Sequence, residues 1–61
     1  MQDQFSDEVL RQLTHDALRL YSGFTEIYHG HLVEAVMRNL PPEFDRGRVE
    51  RIVHEVAPQA H

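Results

Sequence analysis

Phe44–Ala57, FDRGRVERIVHEVA, decides the fold class. Val49, Ile52, Val53 and Val56 stand at i, i+3, i+4 and i+7, the spacing that gathers apolar side chains on one face of an α-helix. Asp45 precedes them as a helix N-cap, whose side-chain oxygen accepts a bond from an otherwise orphaned backbone N–H. Phe44 stands just outside the cap, where an apolar residue clamps onto the fourth residue of the first turn, here Val49. The pattern predicts a helix from about Arg46 to Ala57, stopped by Pro58. Composition works against it. All four stripe residues are β-branched and Gly47 sits in the first turn, so packing rather than propensity must hold this helix.

The same pairing of a phenylalanine with a capping residue recurs upstream, as Phe5-Ser6 and Phe24-Thr25, so the chain spells three helix starts. The first predicts a helix from about Asp7 to Ser22. Val9, Leu10, Leu13, Ala17, Leu20 and Tyr21 fall on one arc of roughly 120°, with Leu18 outside it. Asp7 and Glu8 suit the positive end of its dipole, and Ser22-Gly23 ends it with a glycine expected in the left-handed position past the C-cap. The second predicts a helix from about Glu26 to Leu40, ended by Pro41-Pro42, because the residue before a proline is pushed out of the α region. Its apolar residues, among them Tyr28, Leu32, Val33, Val36 and Met37, sweep roughly 200°. Such a helix is covered on two sides, by the two other helices or in part by another subunit. Gly30 then falls inside the helix, as a tolerated weakness or as the mark of a close helix crossing.

Short connections join antiparallel neighbours, so the expected fold is all-α, a small three-helix bundle with helices at about 7–22, 26–40 and 46–57. The alternative is a helical hairpin whose third helix docks in an oligomer. Residues 1–61 make a single small domain, with residues 1–5 and 58–61 expected to fray. The core must be thin, since a chain of 61 residues buries only about 60% of the surface its unfolded form exposes. With no cysteine, neither disulfides nor thiolate metal sites can staple it, which makes self-association, a dimer first, the expected source of extra stability.

Charge and hydropathy narrow the function. Ten acidic residues against six basic ones give a net charge of -4, which disfavours nucleic acid and anionic membranes as partners. No apolar run reaches membrane-spanning length and the first residues are polar and acidic, so the expected setting is the cytoplasm. All six bases are arginine, a bias that suggests GC-rich coding and a bacterial source. No glycine-rich phosphate loop or nucleophile–base pairing occurs, and a thin core can hardly enclose a water-excluding pocket, so no enzyme activity and no cofactor are expected.

Three residue sets are candidates for function. Glu26-x-x-His29 matches the Glu-x-x-His element of helical di-metal centres, and Glu50 with His54 on the third helix is its weak potential complement. His29 also projects into the apolar arc at the position Phe24 would clamp, as a half-buried neutral imidazole or a pH-responsive joint. Arg46, Arg48 and Arg51 could start the recognition helix of a helix-turn-helix regulator, but Glu43, Glu50 and Glu55 dilute that patch. The favoured reading is a protein–protein interaction or oligomerisation module that works through an edge of the second helix, with Tyr28, Val33, Met37 and the adjoining Arg38 as its surface.

Overall fold

A computed structural model describes residues 5–61, so the expected fraying of 1–5 lies outside the described residues except at Phe5. Three helices follow in order: α1 (Asp7–Leu20), α2 (His29–Met37) and α3 (Arg46–Val56), and no strand occurs among the described residues. Each helix packs on both others, in a body of 38 × 17 × 17 Å. Cross-helix contacts fix the directions. Arg48 meets Asp7 and, further along both helices, Glu55 meets Arg11, so α1 and α3 run the same way. His29 lies against His54, and Glu34 pairs with Arg46, so α2 runs against α3. The fold is the expected up-down-up bundle.

The outer two starts form as their sequences specify. Ser6 accepts from the Val9 amide at 3.4 Å and Asp45 from the Gly47 amide at 3.0 Å. The middle one does not. α2 begins three residues later than expected, at His29, with Tyr28 as an extended N-cap that makes no side-chain cap bond. The cause lies at the other end of the chain: the His61 amide donates to the Ile27 carbonyl at 2.7 Å, and the His29 amide donates to the His61 oxygen at 2.7 Å. Ile27 and Tyr28, residue types that favour extended backbone, are held in a strand-like pairing and cannot enter the helix. Phe24 therefore has no staple to make. It stays exposed and lies edge to face with Tyr21, ring centroids 5.5 Å apart.

Residues 58–61, expected to fray, lie against the bundle, with Ala60 packed on the core and His61 bonded to Ile27 and His29. Gly30 lies in the first turn of α2, and a Cβ there would meet nothing within 4 Å, so it marks no close crossing. The helix C-termini also differ from expectation. α1 stops at Leu20 in tight i→i−3 turns, Tyr21 to Leu18 and Ser22 to Arg19, without a left-handed Gly23. α2 tightens likewise after Met37, and the Asn39 side chain donates to the Ala35 carbonyl at 3.3 Å.

The wide apolar arc of α2 is spent inside the chain. Leu32, Val33, Ala35 and Val36 are all buried, and with Leu10, Val49, Ile52 and Val53 they make the core, so α2 is the central helix. On α1 the buried face is turned from the expected arc and centres on Leu10, Thr14 and Ala17, with Leu18 and Tyr21 packing beside it. Thr14 is the residue that arc omits. Burying its hydroxyl is tolerable because Oγ1 donates to the Leu10 carbonyl at 2.8 Å. The turn of α1 brings Leu18 inward and pushes Val9 and Leu20 outward.

Candidate interaction surface

That rotation of α1 leaves an apolar edge of the helix exposed. Leu20 is 71% exposed and Val9 38% exposed, and both stand on the same side of the helix as the half-buried Leu13. Beside them a shallow depression is lined by Leu13, Asp16, Ala17 and Leu20 from α1 and by Ala35 and Asn39 from α2. A leucine left in water where its helix already fills a core forgoes about 1.5–3 kcal/mol of burial. The flanks are polar: Gln12 donates to Asp16 at 3.2 Å, and Glu8 and Arg19 lie exposed near opposite ends of the helix.

A second exposed group occupies the end of the bundle where α2 begins. Phe24 (63% exposed) and Tyr28 (44%) join Tyr21, His31 and His61 in a chain of aromatic contacts with centroids 5.5–6.3 Å apart. The Tyr28 hydroxyl donates to the Glu26 carboxylate, and that bond holds the phenol above its ordinary 10.0.

The residues anticipated as an interface separate. Val33, only 2% exposed, belongs to the chain's own core and offers no surface to a partner. Met37 is half-buried against that core, while Tyr28 stands in the aromatic group and Arg38 is exposed as the C-cap of α2. The sequence signal missed was the exposed edge of α1, because the helical wheel assigned Val9 and Leu20 to the buried side.

The metal candidates do not assemble. His29 and His54 come together with ring centroids 3.8 Å apart, but Glu26 is engaged by Tyr28 and Glu50 by Arg46 at 3.3 Å. Among the described residues no three histidines or carboxylates gather as a metal would require. The half-buried His29 presents its Nε2–H to the Ala57 carbonyl at 2.9 Å.

Two of the three candidate arginines are engaged within the chain. Arg46 reaches Glu34 at 3.1 Å as well as Glu50, and Arg48 reaches Asp7 at 2.8 Å while lying over the Phe44 ring. Arg51 is exposed. The Arg48 guanidinium holds the Asp7 carboxyl below its ordinary 3.8, and the Glu55 carboxylate raises Arg11 further above its ordinary value. No helix is long and apolar enough to cross a membrane among the described residues. No family model matches the chain, and neither does any curated protein or any solved structure.

Proposed function

We propose that this domain is a small non-catalytic protein–protein interaction module that acts by self-association through the outer edge of α1, with a dimer as its simplest assembly. The exposure of Leu20 carries the reading: a large apolar side chain stands in water beside a depression lined by Leu13, Ala17 and Ala35. A second copy suits that edge. α1 has Glu8 in its first turn and Arg19 in its last, so two copies laid antiparallel bring opposite charges and opposed helix dipoles together, as a two-fold contact requires. A cysteine-free chain needs no oxidising compartment, which supports a cytoplasmic setting.

Light scattering across a dilution series from about 100 μM, a concentration that populates a micromolar dimer, tests this. The wild type should approach twice the chain mass at the top of the series. Leu20→Glu, at a position too exposed to support the fold, should stay monomeric and keep the thermal midpoint of the dilute, monomeric wild type. A wild type that is monomeric throughout removes the reading.

A further inference from the structure

Residues 58–61 lie over the start of α2 as a lightly held strap. The His61 amide donates to the Ile27 carbonyl and the His29 amide to the His61 oxygen, each at 2.7 Å, and Ala60 packs half-buried on the core. Pro58, Gln59 and His61 are exposed. A segment with so few buried contacts belongs to the parts of a fold that open first. We propose that residues 26–28 are a two-state joint: extended while the strap is down, and the first turn of a longer α2, capped by Thr25, once the strap lifts.

The strapped form leaves three helix-start signals unused. Thr25 is exposed and outside any helix, although its hydroxyl is of the kind that caps. Glu26 precedes a helix whose first turn contains no acid, and at the first position of a longer helix its carboxylate meets the positive end of the dipole. Phe24, 63% exposed, stands where an apolar residue outside a Thr25 cap closes on the fourth helical residue, His29. The cap in use, Tyr28, supplies no side-chain bond.

Backbone hydrogen bonds close in both forms. In a helix begun at Glu26, the His29 amide passes from the His61 oxygen to the Thr25 carbonyl, and the Ile27 carbonyl, given up by His61, accepts from the His31 amide. At present the His31 amide makes only a tight i→i−3 bond, to the Tyr28 carbonyl at 3.1 Å, which Leu32 shares at 3.2 Å. The Tyr28 and Gly30 amides, neither with a partner among the described residues, gain the Thr25 hydroxyl and the Glu26 carbonyl.

Opposing losses keep the strap down. Helical periodicity swings Ile27, now packed on the core, onto the side of His31 and Glu34, and Ala60 leaves the core with it. The Tyr28 hydroxyl gives up Glu26, and both Ile27 and Tyr28 are residue types that favour extended backbone. The balance is between small terms, so a change confined to residues 60 and 61 tips it. Lifting the strap also remakes the exposed aromatic end, because it parts the Tyr28 and His61 rings, now 5.7 Å apart between centroids.

Full-chain variants read by NMR at neutral pH test the joint. Ala60→Lys combined with His61→Pro opposes burial of residue 60 and removes the amide that reaches Ile27, so the strap lifts. The Cα chemical shifts of residues 26–28, extended in the wild type, should then move to helical values. Adding Thr25→Ala to that variant should cut the helical population of the segment about fivefold, whereas Thr25→Ala alone should leave the extended shifts in place. Gln59→Lys, at an exposed position, should keep them too. Random-coil shifts in the lifted variant overturn the proposal, and so do shifts that stay extended. A helical segment indifferent to Thr25→Ala overturns it as well, since the turn would then not be capped there. An unfolded variant, with the Ile52 amide of α3 unprotected from exchange, also overturns it, by making residues 58–61 a part of the core instead of a strap.

Discussion

Phe5 and Phe44 meet edge to face, ring centroids 5.7 Å apart and planes at 85°, and so join the residue before the α1 cap to the residue before the α3 cap. Arg48 closes the same corner, its guanidinium 5.6 Å from the Phe44 centroid and its Nη2 2.8 Å from Asp7. Two starts that look independent in the sequence form one structural unit. Phe44→Ala should cost about 2–4 kcal/mol, since it removes both core packing and the partner of Phe5. A double-mutant cycle on Phe5 and Phe44 should return a coupling of about 0.5–1.5 kcal/mol, measured by urea unfolding. A coupling of zero would mean that the rings are neighbours without consequence.

Caps give a contrast within one chain. Ser6→Ala and Asp45→Ala each delete a side-chain acceptor at a helix start and should cost about 0.5–2 kcal/mol. Thr25, equally cap-like in sequence, is exposed and lies outside any helix, so Thr25→Ala should stay within about 0.5 kcal/mol of wild type. Thermal midpoints of the three variants settle the comparison, and an equal loss at Thr25 would move the start of α2 back to residue 26.

The difference between those starts shows what the sequence could carry. Local signals were sufficient for α3: the Asp45 cap and the stripe that starts at Val49 both lie between Asp45 and Val56, and the helix runs from Arg46 to Val56. They were insufficient for α2, because what stops residues 26–28 from becoming helical is a pairing with His61, far along the chain and invisible to periodicity. The exposed edge of α1 escapes the helical wheel for a related reason. A wheel scores Thr14 as polar, yet its bond to the Leu10 carbonyl lets it be buried, and that one exchange turns α1 so that Leu20 faces solvent. The wheel therefore places the surplus apolar surface on α2, whose Leu32, Val33, Ala35 and Val36 the bundle itself buries.

Acid should act at the α1–α3 corner. The Asp7 carboxyl is held below 3.8 chiefly by its hydrogen bond from Arg48. A depressed folded value means that the pair's contribution is complete above the unfolded value and is lost as pH falls through the folded one. Stability should thus decline below about pH 4, and Arg48→Gln should flatten that part of the profile while leaving the neutral region with a small, salt-sensitive loss. Urea midpoints measured from neutral pH to about pH 2.5 would show it, and an unchanged acid limb in Arg48→Gln would assign the decline to other carboxylates.

Met37 and Leu20 separate the core of the chain from its proposed interface. Met37 is half-buried and packs on the core cluster, whereas Leu20 is 71% exposed, so the same change to glutamate has different physical consequences at the two sites. At Met37 a carboxylate is drawn out of water against the core cluster without a partner, which should destabilise the chain by about 1–3 kcal/mol. Association should then weaken only as far as the folded population falls. At Leu20 the carboxylate remains solvated in the monomer and meets desolvation only when another chain covers it, so the mass should change and the unfolding midpoint of the monomer should not. The pair of variants, followed by light scattering and by circular dichroism at one concentration, gives opposite patterns if α1 is the contact surface. If Met37→Glu instead abolishes association at full helicity and Leu20→Glu leaves it intact, the contact lies on the α2 edge that the sequence first suggested, and the proposed role of α1 is wrong.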